Sequence, residues 1–289
     1  MRNIFAELDA QNPSTKREDY VRAPFAYAGG KAKHLKNILP HLPYRDSYIE
    51  PFGGSGAILL ARDASPLEVY NDRYAGVVAF YRCLRKPDTT QQLIDRLTFI
   101  LHSREEFIWC RDTWSNCTDI VERAARWYYM LTMSFSSLGR NFGRSTKGKA
   151  QAACKLANHI KDFDHVHNRI RYVIIENQDF RNILKDFDNP DAVFYLDPPY
   201  LEVHDGTYKE SMEPYEHKEL LDIVFGMQGF VAVSSYKNDL YESYDWSERH
   251  TWEADISIKA KAFTVENHKE HLSYAKGSMK SQEVLYIKE

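Results

Sequence analysis

The sequence predicts an α/β protein whose largely parallel sheet is interrupted by a mainly helical insertion. Short runs of β-forming apolar residues alternate with amphipathic stretches, which is typical of parallel sheets with helical connections. A glycine-rich turn and a proline turn directly follow two of these runs. The stretch from Gly56 to Asp197 is more than twice as long as two βαβ units of about 30 residues each would need. We therefore predict an inserted subdomain at residues 86–168, within a sheet domain formed by residues 23–85 and 169–289.

Composition and charge narrow the class of protein. The 289 residues are 43% apolar and 27% charged, with four cysteines in no C-x-x-C pair and no apolar run long enough to span a membrane. We expect a cytoplasmic globular protein with no membrane segment and no zinc site. The net charge is −3, yet residues 135–171 hold eight Lys/Arg and only two acids, whereas residues 202–222 hold seven acids and two lysines.

The N-terminal region is predicted to begin with a polar leader, residues 1–22, followed by Phe-Ala-Tyr-Ala-Gly-Gly-Lys at 25–31. A Gly-Gly turn leaves backbone N–H groups exposed at the start of a short helix, and Lys31 adds a positive charge. The turn is therefore a candidate anion site, although a plain helix-capping turn explains the same residues equally well.

Residues 48–60 predict a strand, a glycine-rich turn and a helix, the layout that binds a phosphate or nucleoside in doubly wound sheets. Gly54 and Gly56 supply G-x-G, but Leu59 occupies the third glycine position of the dinucleotide fingerprint. Asp72 follows the next strand, where an acid can accept both hydroxyls of a ribose. A nucleoside cofactor therefore fits better than a pyrophosphate, and a tight turn without a ligand is the alternative.

The middle of the chain predicts helices and one irregular basic stretch. Three helical segments fill residues 74–134, and helix returns at 156–170. Between them, residues 134–149 are rich in Gly, Ser and Lys/Arg without periodicity, which indicates an exposed loop or hairpin. Further strands are expected at 172–176, 229–235, 251–258 and 283–287, with helices at 180–187 and 215–225.

The stretch Asp197-Pro198-Pro199-Tyr200 follows the apolar run 191–196, which predicts a buried strand. The motif then lies at the carboxyl edge of a parallel sheet, where ligands bind. The prolines leave carbonyls free to accept hydrogen bonds, Asp197 adds an anionic acceptor, and Tyr200 adds a flat aromatic face. Together they suit a planar group with an exocyclic amine. A strand that simply ends in a proline turn is the alternative for this motif alone.

These motifs together resemble the Dam-like DNA adenine-N6 methyltransferases, a family of S-adenosylmethionine enzymes of the α arrangement. The signatures occur in the family's order: FAYAGGK at 25–31, EPFGGSG at 50–56, YND at 70–72 and DPPY at 197–200. QDF at 178–180 and EVLYI at 283–287 extend the resemblance, although many members carry Trp in place of Tyr27. The resemblance implies a Rossmann-like methyltransferase sheet with the insertion as the target-recognition subdomain.

The resemblance also implies a role for each matching residue. Lys31 and the Gly29-Gly30 turn would hold the methionine end of the cofactor, Asp72 the ribose and Asp179-Phe180 the adenine, with Asp179 as a helix N-cap an equal alternative. The residues implied to bind S-adenosylmethionine are Tyr27, Gly30, Lys31, Glu50, Phe52, Gly53, Gly54, Ser55, Gly56, Asp72, Asp179, Phe180 and Asp197. The implied catalytic residues are Asp197, Pro198 and Tyr200, and the implied DNA contacts are Arg140, Asn141, Arg144, Lys147 and Lys149.

On this interpretation the substrate is double-stranded DNA, and no metal is needed. Asp197 and the Pro198 carbonyl would each accept one hydrogen of the adenine amine, so that its lone pair points at the sulfonium methyl. The target base would be flipped out of the helix and stacked on Tyr200. The expected location is the cytoplasm of a bacterium, with the gene bacterial or phage-borne and the protein close to the nucleoid. A monomer or weak dimer is expected, and a cognate restriction enzyme as partner is left open.

Two classes of alternative stay open at this point. One is an amino methyltransferase acting on RNA adenine, cytosine N4 or a protein glutamine. The other is a DNA-binding relative that has lost catalysis. The basic insertion favours a nucleic acid over a protein substrate, and the intact DPPY, glycine loop and Asp72 favour an enzyme.

Overall fold

A computed structural model of the protein describes residues 20–27, 29–143, 151–201, 212–256 and 279–289. None of the helices in these ranges is long and apolar enough to cross a membrane. The helices are α1 Leu35–Ile38, α2 Ala57–Ala61, α3 Ala75–Leu84, α4 Pro87–Phe99, α5 Arg104–Thr113, α6 Ile120–Met133, α7 Gln151–Lys161, α8 Phe163–Ile170, α9 Phe180–Phe187, α10 Pro214–Gly226 and α11 Asp239–Glu242. The strands are β1 Ser47–Glu50, β2 Leu67–Asn71, β3 Ile174–Glu176, β4 Ala192–Leu196, β5 Phe230–Tyr236, β6 Glu248–Ile256 and β7 Met279–Lys288.

The strands of the described ranges form one sheet in the order β3-β2-β1-β4-β5-β7-β6. Strands β1 to β5 pair in parallel, whereas β7 runs antiparallel to both β5 and β6. The strand order reverses between β1 and β4, because the chain continues from β1 to β2 on one side and from β4 to β5 on the other. Ligands bind at such a switch point, outside the carboxyl ends of the strands. The prediction of an α/β methyltransferase-like sheet is confirmed.

Both faces of the sheet are covered, which explains why its central strands are apolar throughout. Along β4, Val193 and Tyr195 belong to one apolar cluster, and Phe194 and Leu196 belong to the other. This alternation follows from the two-residue period of a strand. The first cluster lies under α2, α3 and the helices that follow them, and the second lies under α9 and α10.

The helices between residues 87 and 170 share the apolar cluster of α3. Phe80 of α3 stacks on Tyr128 of α6 with ring centroids 4.8 Å apart and an angle of 11°. Gly76 lets the Trp127 ring approach α3 closely, because a Cβ at that position would lie 2.2 Å from the indole. The boundaries of the inserted subdomain, 86 and 168, stay a prediction.

The middle of the chain also differs in detail from the sequence expectation. The segment 74–134 holds four helices, since α5 separates from its neighbours where Ser103 caps it by accepting from the Glu106 N–H at 3.0 Å. α5 buries only Phe107 and Cys110, so its periodic signal is weak. The helix expected at 156–170 is two helices, α7 and α8. Ser134 and Phe142 pair as an isolated antiparallel bridge, which gives the described part of the predicted loop a hairpin form.

Candidate active site

A cleft opens at the carboxyl ends of β1 and β4. Its wall combines the N-terminal turn, the glycine loop after β1, the end of β2, the start of α9 and the proline motif after β4. Gly56, Asp179 and Tyr200 are not among the residues that line it. The predicted site residues that line it are Tyr27, Gly30, Lys31, Glu50, Phe52, Gly53, Gly54, Ser55, Asp72, Phe180, Asp197 and Pro198.

Close contacts and positive φ angles favour glycine at three positions of the loop after β1. A Cβ at Gly53 would lie 2.1 Å from the ring of Tyr70, so the loop approaches β2 too closely for any other residue. Gly54 and Gly56 have φ angles of 50° and 64°, the left-handed region that favours glycine. The Tyr70 hydroxyl donates to the Gly54 carbonyl at 2.7 Å and fixes the loop from below. The result is a concave backbone surface facing the cleft.

Asp72 fastens this loop to the end of β2. One carboxylate oxygen accepts from the Gly54 N–H at 2.8 Å, and the other accepts from the Tyr74 N–H at 2.7 Å. Asp72 also lines the cleft. Its contact with the ribose of a cofactor stays a prediction.

Glu50, the last residue of β1, lies on the floor of the cleft. It is buried, and the Tyr48 hydroxyl donates to it at 2.7 Å. Burial raises the pKa of the Glu50 carboxyl to about 8, although the Tyr48 hydroxyl and other donors oppose the rise. Burial therefore favours the neutral, protonated form of the Glu50 carboxyl.

Asp197 lies opposite the glycine loop and is paired with Lys31. The Lys31 ammonium is 2.7 Å from Asp197 Oδ1 and 3.4 Å from Glu283 Oε1, and it donates to the Gly29 carbonyl at 2.8 Å. Burial raises the pKa of Asp197 to about 6, with Lys31 opposing the rise. Burial alone would lower the pKa of Lys31, but the two carboxylates outweigh it and the net shift is upward. Lys31 is therefore a buried cation shared by two acids.

The N-terminal turn is engaged within the protein. Besides the Lys31 contacts, the Gly30 N–H donates to the Tyr27 carbonyl at 3.0 Å. The predicted role of this turn, binding the methionine carboxylate, stays a prediction.

Tyr200, the last residue of the proline motif, is turned into the protein. Its hydroxyl donates to Glu283, and its ring packs edge to face on Tyr236 with centroids 4.5 Å apart. The Lys31 ammonium lies 4.9 Å from the centre of the same ring. Only 6% of Tyr200 is exposed, so the stacking of a flipped base on this ring stays a prediction.

Comparison with known proteins identifies the family to which the chain belongs. Residues 27–262, most of the chain, match the family described as D12 class N6 adenine-specific DNA methyltransferase. The chain belongs to this family. The match confirms the resemblance drawn from the four motifs. It spans the N-terminal turn, the glycine loop, Asp72 and the proline motif, and it ends before Glu283.

Individual relatives are more distant and match different lengths. The chain is 30% identical over 195 residues to the type II methyltransferase M1.LlaDCHI of Lactococcus lactis subsp. cremoris, covering 62% of this chain and 66% of that protein. It is 23% identical over 231 residues to the type II methyltransferase M.CviBI of Paramecium bursaria Chlorella virus NC1A, covering 77% and 87%. It is 26% identical over 121 residues to the DNA adenine methylase of Salmonella typhi, covering 41% and 43%.

The two predicted adenine-binding residues, Asp179 and Phe180, lie at the start of α9 and differ in their contacts. Phe180 lines the cleft, and its ring lies 5.4 Å from that of Phe52. Asp179 instead caps α9 by accepting from the Arg181 N–H at 3.0 Å, and it pairs with the Arg181 guanidinium at 3.0 Å. The capping alternative for Asp179 is therefore what the structure shows, and a ligand contact from it stays a prediction.

The hairpin after α6 approaches the same cleft, which sequence reasoning missed. Ser137 and Leu138 line the cleft opposite the glycine loop, and Ser136 and Ser137 have φ angles of 56° and 55°. Such values are uncommon outside glycine and often accompany functional turns. The sequence signal available was the run of small residues between an apolar helix and a basic stretch.

Only part of the predicted DNA-contacting set lies in the described residues. Arg140 and Asn141 are exposed on the returning arm of the hairpin, where the Asn141 carbonyl accepts from the Phe135 N–H at 2.8 Å and the Arg140 carbonyl accepts from Arg111 at 3.3 Å. Arg144, Lys147 and Lys149 lie outside the described residues.

Asn71 is a second residue that sequence reasoning missed. Its side-chain amide donates to the Pro51 and Gln178 carbonyls at 2.8 and 3.1 Å, and its Oδ1 accepts from the Gln178 N–H at 2.8 Å. One buried side chain thus ties together the loops after β1, β2 and β3. Its position within the YND motif was the available signal.

Three potential metal ligands lie close together at β6, the edge strand of the sheet. His41, Glu248 and His250 place one ligand atom each within 4.8 Å of the others. The two imidazoles are stacked with centroids 3.6 Å apart, so an ion in the plane of one ring would lie outside the plane of the other. That the reaction needs no metal stays a prediction.

Proposed function

We propose that the protein transfers a methyl group from S-adenosylmethionine to N6 of an adenine in double-stranded DNA, at a specific sequence. The observation that carries this proposal is that Asp197-Pro198 and the glycine loop line the same cleft, at the switch point of the sheet. Membership of an adenine-specific family supports the acceptor, and relatives named DNA adenine methylase support the nucleic acid.

The cleft fits a nucleoside cofactor. Gly53 and Gly54 line the cleft without side chains, and Asp72, which accepts from the Gly54 N–H, would offer acceptors to ribose hydroxyls. Phe52 and Phe180 supply apolar contact for a flat ring. When bound, S-adenosylmethionine supplies a methyl group activated by its positively charged sulfur.

Asp197 and the Pro198 carbonyl act on the acceptor. The adenine amine is a poor nucleophile because its lone pair is delocalised into the ring. Accepting both amino hydrogens favours the pyramidal nitrogen and localises that lone pair. Holding the reactants in this geometry can contribute up to about 7–11 kcal/mol to the lowering of the barrier. Formation of the bond from N6 to the methyl carbon would accompany cleavage of the bond from sulfur to that carbon, with neutral S-adenosylhomocysteine as the leaving group. The positive charge left on N6 is relieved when the nitrogen gives one of its protons to solvent.

The duplex must open locally for this chemistry, since the amine of a stacked base cannot reach the bottom of the cleft. The hairpin that contributes Ser137 and Leu138 to the cleft carries Arg140 and Asn141 exposed on its returning arm. The same loop can therefore touch DNA while bordering the reaction site. We expect phosphate contacts to set affinity and an arginine to read a base edge.

The test is methyl transfer from tritiated S-adenosylmethionine to duplex DNA, structured RNA and bulk protein, each with the purified full-length chain. Mass spectrometry of the digested nucleosides then identifies the product. We expect N6-methyladenine from duplex DNA, and methyl groups at one short sequence when the DNA is sequenced. Label confined to RNA or protein, or N4-methylcytosine as the DNA product, would overturn the proposal. A monomer or weak dimer, and a cognate restriction enzyme, stay predictions.

A further inference from the structure

Glu283 of β7 is a buried carboxylate directly behind the proline motif. Only 3% of it is exposed. One oxygen accepts from the Tyr200 hydroxyl and lies 3.4 Å from the Lys31 ammonium. The other accepts from Trp252 Nε1 at 3.2 Å and lies 3.7 Å from His34 Nε2. Glu283 thus touches both the Tyr200 end of the motif and the cation that pairs with Asp197.

Burying a carboxylate carries a desolvation free energy that its partners must offset. An ionised group removed from water must be paired and hydrogen-bonded, or it destabilises the fold. β7 could fill the same space with an apolar side chain, as Val284 and Leu285 do next to it. The charge is therefore better explained by its neighbours in the active site than by the stability of the sheet.

We propose that Glu283 is a positioning residue that acts through Lys31 and Tyr200 to fix the Asp197 carboxylate for reaction. This inference rests on the proposed methyl transfer. Without Glu283, Lys31 would have Asp197 as its one carboxylate partner in this cluster, and the Tyr200 hydroxyl would lose its acceptor on β7. With Glu283, the ammonium is held between two acids and the proline motif is anchored at both ends.

The charge of the cluster supports the same role. Two carboxylates and one ammonium carry a net charge of −1 beside the cleft. The sulfonium donor is positive, and after transfer the adenine nitrogen is positive until it loses a proton. A fixed negative charge that needs no rearrangement stabilises such a centre. Replacing Glu283 by a neutral residue would leave the cluster uncharged.

The charge of Glu283 should affect how the reaction rate depends on pH. Asp197 accepts hydrogen bonds as the anion, so the rate falls as the pH drops through its pKa, which burial raises to about 6. The negative charge of Glu283 adds to the rise, and Lys31 opposes it. Removing that charge lowers the pKa of Asp197 and moves the acidic limb to lower pH. The ionisable groups that face Asp197 and Glu283 are Lys31, His34, Tyr195, Tyr200, Tyr236 and Tyr241.

The experiment compares the wild-type protein with Glu283→Gln and with Glu253→Gln, an exposed glutamate of β6 that serves as the control. The measurements are kcat, KM for cofactor and DNA, and the pH–rate profile. We expect Glu283→Gln to lower kcat by up to about 10²-fold, the cost of misplacing a reacting group by about 1 Å. We also expect the acidic limb to move to lower pH and both KM values to stay near those of the wild type. Glu253→Gln should match the wild type.

An unchanged kcat and acidic limb in folded Glu283→Gln would overturn the inference. If that variant does not fold, Trp252→Phe decides instead, since it removes one donor to Glu283 and leaves the proline motif unchanged. Reduced kcat with nearly unchanged KM values supports the inference, and wild-type kcat overturns it. Wild-type protein that fails to methylate DNA would refute the proposed function itself, so the two failures are distinguishable.

Discussion

The cleft at β1 and β4 and the hairpin after α6 border the same space but are built in opposite ways. In the cleft, Lys31, Glu50 and Glu283 are buried and each has a protein partner. On the hairpin, Phe135 is 64% exposed and Arg140 points its charge away from the core. The two regions therefore suit different tasks. Chemistry depends on fixed short-range geometry, whereas recognition depends on exposed side chains that are accessible to a partner.

The strongest test of the cleft's role is Asp197→Ala. Loss of the anionic acceptor should lower kcat by about 10²–10³-fold, roughly 2.7–4 kcal/mol. Binding of S-adenosylhomocysteine, measured by calorimetry, should be largely retained because Lys31 keeps Glu283 as a partner. Asp191→Ala, at the other end of the same strand and exposed, is the control. Turnover of Asp197→Ala within tenfold of the wild type would remove Asp197 from the chemistry.

Asp72→Ala should act on binding instead of turnover. The carboxylate anchors Gly54 and is assigned to the ribose, so its loss should weaken cofactor binding by about 1.5–3 kcal/mol. Calorimetry with S-adenosylhomocysteine measures the change, and Asp63→Ala, exposed before β2, controls for the lost charge. A dissociation constant equal to that of the wild type would place the ribose elsewhere.

The rigidity of the cleft is tested by Gly53→Ala. The new methyl group would collide with the Tyr70 ring, and overpacking of this kind costs about 1–3 kcal/mol of folding free energy. Urea denaturation measures it. Gly226→Ala is the matched control, because a Cβ there meets nothing within 4 Å. Equal stability of the two variants would show that the loop yields easily.

The hairpin should show the smallest single effects. Arg140→Ala should cost about 1–3 kcal/mol of discrimination between target and scrambled duplexes if the guanidinium reads a base. Lys147→Ala and Lys149→Ala should weaken binding to all sequences and lower the salt slope by about 0.9 for each lost phosphate contact. DNA affinity at several salt concentrations measures both, with Lys185→Ala on α9 as the control. A quadruple variant that also includes Arg144→Ala and still binds and methylates normally would place recognition elsewhere.

The same contrast explains what the sequence could predict. The cleft is assembled from motifs at strand ends, and a parallel sheet brings such ends together without further information. That Asp72 and Asp197 line one cleft could therefore be predicted from local patterns alone. The partners of Lys31 could not, because Glu283 reaches it through the pairing of β7 with β5, which no local pattern specifies.

The hairpin was harder to predict for a different reason. Its composition indicated an exposed basic loop, and the bridge between Ser134 and Phe142 agrees with that. Its approach to the cleft depends on the packing of α6 against α3, through Gly76 and Trp127, in a part of the chain without recognisable motifs. Composition predicts that such a loop is exposed, but tertiary packing decides what it faces.

The position of β7 between β5 and β6 also affects the order in which parts of the active site come together during folding. During synthesis, β6 emerges before the strand on which it pairs, and the edge of β5 stays uncovered until β7 arrives. An uncovered edge invites pairing with other chains. Lys31 and Asp197 can meet earlier, but Glu283 joins them only with β7. The closing of the sheet and the completion of the charged cluster are thus one late step, dominated by contacts of large sequence separation, which fold slowly.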